Sequence, residues 1–350
     1  MNYDFLIVAL LGVLGLLAHA ASKRRWLEGM LRAFIFTCAL AEYFVYANRG
    51  PDLLFNPWAS GILLAACIAT ALLLFIPLRR LVSLLLTAVE LIVSGQIFLK
   101  LLPLIRKLTT WTDFWSARRI FVPSSIPHMV GLFIYISTMA YLLASTDPNT
   151  FQMPVMPIPI PLPISQLFSY NGLGLILLSF CGIGIYVSRA PKEALLRLGW
   201  VKPTWPQVGV GALLILFSLV YDALWSLYTH NLTGQDLASK LSDYNAGTFS
   251  APGGFAPSVV LALATALCAG IGEETLIRGA LQPVLGILPA AFLHGMLHGQ
   301  FAHAPIFIVQ VSLWSVCIGI VRRYTNTTTT IIGHAGFNFI MTFLFAFNPS

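Results

Sequence analysis

The run LALATALCAGIGEETLIRGALQPVLGILPAAF, Leu261 to Phe292, reads as membrane on both sides of a charged centre, where Glu273, Glu274 and Arg278 fall within six residues. On insertion scales each such charge at the bilayer midplane costs about 2.5–3.5 kcal/mol. Charges kept at that cost mark a functional site by default.

The rest of the chain has the same solvent. Of its 350 residues 57% are apolar and only 9% are charged, against about 25% charged in an ordinary soluble domain. The apolar runs are long and continuous instead of alternating, which argues against a β-barrel. The expected fold is therefore all-α, a polytopic helical membrane protein with roughly 10–11 apolar helices, since 350 residues leave room for about ten spans of ~20 residues. Eleven apolar runs can be marked, near 3–21, 28–47, 58–78, 81–104, 128–145, 170–188, 207–229, 256–282, 284–301, 305–321 and 331–347.

The formal charge of +7 is not a nucleic-acid signature, and no nucleic-acid partner is expected. The basic residues sit in short clusters between apolar runs, at Lys23–Arg25, Arg79–Arg80, Arg189–Arg197 and Arg322–Arg323. That is the distribution the positive-inside rule produces. The five cysteines all fall inside apolar runs without zinc-finger or CxxC spacing, so they read as small packing residues. The first run has no basic n-region and is followed by SKRR, which favours a first span over a cleaved signal peptide.

Charge also predicts orientation. The basic loop 189–206 and the pair Arg322–Arg323 are placed in the cytoplasm and the loop 230–255 outside, which sets Glu273, Glu274 and Arg278 toward the cytoplasmic side. The N-terminal half does not close under the same rule. If 81–104 spans, the four basic residues of 106–119 lie outside, so either that run is non-spanning or re-entrant, or the rule fails there. Residues 106–127, with Trp111 and Trp115, read as an interfacial segment. PVMPIPIPLP, with five prolines, reads as an extended connector. Composition shifts near residue 189, dividing an N-terminal multi-span region, 1–188, from a chemistry-bearing region, 189–350.

In that second region Glu274 and Arg278 are four apart on a helix and face each other. Glu273 is turned about 100° away and has no local counter-charge, which suits a general acid or base. The next run carries His294 and His298 on one face, with His303 following; Gly295 replaces the glutamate of an HExxH zinc motif. The last run places His334 and Asn338 four apart, a pair that can receive negative charge on an oxyanion or support a metal ligand. An acid pair, a histidine pair and a His/Asn pair on three helices form a set able to activate water and hydrolyse an amide bond inside the membrane. Glu42, Glu90, Gln96 and Asp222 also lie in apolar runs. Asp222 either lines the same cavity or pairs with a tyrosine or the backbone; Glu90 and Gln96 mark an interface or a second polar cavity. The sequons at Asn231 and Asn326 carry no weight.

EExxxR (Glu273, Glu274, Arg278), a downstream histidine and HxxxN (His334, Asn338) resemble the motifs of the CAAX prenyl endopeptidase and bacteriocin-processing (CPBP) family of intramembrane proteases. RLGWVKPTW before the acids and IRGALQPVLG after them are also similar. The likeness covers roughly 190–347; residues 1–188 carry none. In the family's FxxxH motif the histidine matches His298, and His294 stands where phenylalanine is usual. The resemblance implies a conical catalytic bundle in the C-terminal half that cuts membrane-associated peptides or lipidated proteins near their C-termini. Glu273 and His298 would activate water, His334 and Asn338 would form the oxyanion site, and Glu274, Arg278 and His294 would support them. A zinc ion on Glu273, His298 and His334 is the alternative to metal-free chemistry. Two other classes remain: a non-catalytic scaffold or immunity protein, and an ion or proton transporter. The polar residues cluster near helix ends, which counts against a path across the membrane.

Overall fold

The computed structural model describes residues 3–48, 57–95, 120–145, 163–233, 237–249, 254–298 and 305–347. Gln96, Trp111, Trp115, His303 and most of the proline run lie outside them, as do the side chains of Glu42 and Asn231. The described residues form helices and short connections, with one isolated bridge between Ile185 and Arg189.

The N-terminal helices are α1 (Tyr3–Ala21), α2 (Arg25–Asn48), α3 (Pro57–Leu72), α4 (Ile76–Val93), α5 (Ile126–Ala144) and α6 (Ile164–Gly182). A short α7 (Pro191–Leu198) leads to α8 (Trp205–Thr233), α9 (Leu237–Thr248) and α10 (Phe255–Leu285), followed by α11 (Ile287–Leu297), α12 (Pro305–Tyr324) and α13 (Thr327–Phe347). Among the described residues six helices are long and apolar enough to cross a membrane, or seven with one bent pair counted as a span. The chain is thus an all-α, multi-pass membrane protein.

Several apolar runs yield something other than a span. Helix α2 carries Arg25, Glu28, Arg32 and Glu42. Helix α11 has 11 residues, about 16 Å of rise, too short for a hydrocarbon core of about 30 Å. Helices α3 and α4 bend by 110° at their junction. Pro77, in the first turn of α4, has no N–H to continue a helix from α3. The break falls at 73–75 instead of between runs 58–78 and 81–104, which puts Arg79 and Arg80 inside α4 instead of in a loop.

Helix α10 packs along α13, α13 along α8, and α11 along α12. Small residues allow these approaches. A Cβ on Gly270 would stand 2.7 Å from Ala335 Cβ, and one on Gly333 2.6 Å from Leu214 Cβ. The buried core runs across residues 188 and 189: Met139 of α5 packs with Ile277, Leu293, Met296 and Phe307, and Phe121 and Leu132 pack with Leu285.

Candidate active site

The site forms where α10, α11, α12 and α13 meet. Helix α10 is α-helical to Glu274 and then widens to a π-helical segment, Thr275–Leu281, a local distortion common at functional sites. Side chains from the preceding connector hold this segment. Arg197 Nη1 donates to the Gly279 carbonyl at 2.9 Å, and Trp200 Nε1 donates to Thr275 Oγ1 at 3.0 Å. The carbonyl of Leu198 would stand 2.8 Å from a Cβ at Gly279. The RLGW stretch therefore lies against the acids' own turn, which explains its place in the sequence.

Glu274 and Arg278 are fully buried and face each other with Oε2 and Nε 3.5 Å apart. Glu274 Oε1 also accepts from His334 Nδ1 at 3.0 Å. Arg278 reaches on to α12, where Nη2 donates to Ser315 Oγ at 2.8 Å. This is the pairing expected from the i, i+4 spacing, extended to a third helix.

Glu273 does have a partner, and it is His294. Its Oε2 lies 3.0 Å from His294 Nε2, and the same oxygen is 3.9 Å from His334 Nε2. Arg278 Nη2, a donor only, is 3.4 Å from His294 Nδ1, and Ser315 Oγ is 3.1 Å from it. Nδ1 is therefore the acceptor and Nε2–H donates to Glu273. His298 stands at the C-terminal cap of α11 with ψ 68°, and its Nδ1 donates to the His294 carbonyl at 2.8 Å. One ligand atom each from Glu273, His294 and His298 can be chosen within 4.8 Å of one another. That grouping takes His294 in place of the His334 expected for a metal set.

His334 keeps Nδ1–H for Glu274, which leaves Nε2 facing Glu273. The Trp314 ring packs edge-on against His334, 4.8 Å between centroids, and Trp314 Nε1 donates to Ser218 Oγ on α8 at 2.8 Å. Asn338 lies one turn beyond His334 on α13 and is half-buried. Among the described residues its amide has no hydrogen-bond partner. Asp222 accepts from Gln310 Nε2 at 2.9 Å, a partner that is neither the tyrosine nor the backbone group expected.

One feature escapes sequence reading. Ser315 and Trp314 hold Arg278, His294 and His334 in place, yet each is an ordinary residue of an apolar run with no spacing to set it apart. Glu90, buried on α4, accepts from the N–H of Ile287 at 2.7 Å, and its Oε1 is 3.8 Å from Arg323 Nε. It caps the start of the helix that carries His294, and so marks an interface between the two regions.

Comparison with known proteins points to the same stretch of chain. No curated protein and no solved structure matches the chain. A family model, Type II CAAX prenyl endopeptidase Rce1-like, matches residues 255–340, the segment from α10 to α13 that supplies every residue of the cluster. Over that segment, about a quarter of its length, the chain is similar to the Rce1-like type II CAAX prenyl endopeptidases, a family of proteases.

Proposed function

We propose that the chain is an intramembrane endopeptidase in which Glu273, oriented by His294, activates the water that attacks a peptide carbonyl. The observation that carries this reading is the position of Glu273 Oε2, 3.0 Å from His294 Nε2 and 3.9 Å from His334 Nε2. The carboxylate takes a proton from water as the O–C bond forms, and it returns that proton to the departing amine as the C–N bond breaks. Asn338 offers its amide N–H to the oxyanion of the tetrahedral intermediate, beside the Nε2 edge of His334. Glu274 and Arg278 fix the helix turn and the His334 ring. His298 flanks the site from the end of α11.

Glu273, His294 and His298 offer ligand atoms that could hold a divalent metal, which would displace the proton His294 Nε2 shares with Glu273. The direct Glu273–His294 hydrogen bond supports metal-free chemistry, and that is the reading we propose. Prolonged treatment with a zinc chelator is expected to leave cleavage unchanged, and loss of cleavage restored by zinc would establish the metal reading.

The substrate we infer is a membrane-tethered peptide or lipidated protein cut near its C-terminus, reached from the cytoplasmic side of the cell membrane. Support for that side comes from Arg322 and Arg323 closing α12 and from His334, seven residues into α13, roughly 10 Å from its start. Proteolysis from each side of a reconstituted vesicle, at tags placed in 189–206 and 237–249, tests the orientation.

A further inference from the structure

A second polar cavity lies apart from the acids, at the end of the bundle shared by the C-termini of α1 and α6 and the N-termini of α5 and α7. Its volume is about 470 Å³, and His19, Ser125, His128, Ser188 and Arg189 face it. The loop from α6 to α7 shapes it. Gly184, at φ +80°, has a left-handed backbone, and a Cβ there would stand 2.4 Å from the His19 ring. Tyr186 is the one described non-glycine residue with positive φ, at 61°. These two turns bring Ser188 and Arg189 back onto α1.

The lining presents donors. His19 Nε2 donates to the Gly182 carbonyl at 3.1 Å, so its Nδ1 accepts from Ser188 Oγ at 2.9 Å. His128 Nδ1 accepts from the N–H of Val122 at 2.9 Å, which leaves Nε2–H as that ring's donor. Ser125 Oγ accepts from the N–H of His128 at 3.3 Å and keeps its own hydrogen to give. Arg189 spends Nη1 on the Ile183 carbonyl and Ser188 Oγ and has its other N–H groups left. Lys23, whose Nζ donates to the Val187 carbonyl, and Arg197 act electrostatically on the same histidines. The one carboxylate of the lining, Glu193, is exposed, accepts from the N–H of Ala190 at 3.0 Å and acts electrostatically on Arg189. Donors and positive charge outnumber that single carboxylate.

The cavity opens among helix ends, and the loop that shapes it carries Tyr186, 81% exposed, an aromatic of the kind enriched at the membrane–water interface. We propose that this cavity binds a phosphate group, carried by an anionic phospholipid headgroup or free in solution. Arg189 is the principal cation, and His128 and Ser125 supply hydrogen bonds. The site is independent of the proteolytic reading, since none of these residues touches Glu273.

The test uses the full chain purified from mixed vesicles of dioleoyl phosphatidic acid and dioleoyl phosphatidylcholine, with retained lipid counted by native mass spectrometry. Phosphatidic acid is expected to be enriched about tenfold over its bulk share, the scale of one charge-assisted hydrogen bond. Arg189→Gln removes the enrichment, and Arg189→Lys restores most of it. Lys192→Gln, which changes an exposed neighbouring cation outside the lining, leaves it intact. Saturable binding of inorganic phosphate without lipid enrichment assigns the site to free phosphate. If Arg189→Gln does not fold, Ser125→Ala and phosphate competition against the wild type read the same site. Equal losses in Arg189→Gln and Lys192→Gln, or neither lipid enrichment nor phosphate binding, overturn the proposal.

Discussion

Glu273 and Glu274 are neighbours in the chain and opposites in their surroundings. Glu274 is fully buried between Arg278 and His334, while 17% of the Glu273 side chain is exposed. Glu274→Gln leaves Arg278 without its counter-charge, and a broken buried pair costs about 3–5 kcal/mol, which thermal unfolding in detergent will show as a lowered midpoint. Glu273→Gln removes no buried ion pair with arginine and is expected to unfold close to the wild type while losing cleavage by about 10²–10⁴-fold. His294→Ala is expected to cost more activity than His298→Ala in the same assay, because His294 Nε2 hydrogen-bonds Glu273 Oε2 at 3.0 Å. The Glu274–Arg278 pair was legible because the i, i+4 rule alone fixes it. Spacing alone could not separate the roles of His294 and His298, since they share one face. At the end of α11 the His298 ring turns back onto the His294 carbonyl.

At the scale of elements, close helix approach sets the site's geometry. Gly295, beside His294, would place a Cβ 2.1 Å from Ser312 Oγ and 2.7 Å from the Ile308 carbonyl. The carbonyl is backbone and cannot step aside, so Gly295→Val is expected to separate α11 from α12, destabilise by about 1–3 kcal/mol and disperse the Glu273–His294 contact. Comparing unfolding midpoint and cleavage in that variant checks both effects. Apolar periodicity made the helices readable, but it could not show the π-helical segment Thr275–Leu281, which depends on contacts from Arg197 and Trp200 on another element. Nor could it show the bend between α3 and α4, since Pro77 is as acceptable inside an opening turn as at a break.

At the scale of the whole molecule, the N-terminal region packs against the helices that carry the Glu273 cluster. Glu90 caps α11, and Met139, Leu132 and Phe121 pack against α10 to α12. Glu90→Ala leaves the Ile287 N–H buried without an acceptor, a loss of about 1–3 kcal/mol to be read in the unfolding midpoint. Residues 189–350 expressed alone are expected to lose cleavage, and co-expression with 1–188 to restore part of it. The membrane class was written in the composition, but this dependence was not, because long-range packing has no local signature. The most direct test of the central claim compares protein termini in membranes from cells carrying the wild type and cells carrying Glu273→Gln at matched expression. New termini found only with the wild type are the predicted result, and they identify the substrate as well. Identical sets of termini would contradict proteolysis and leave the Glu273–His294 cluster as part of a non-catalytic scaffold.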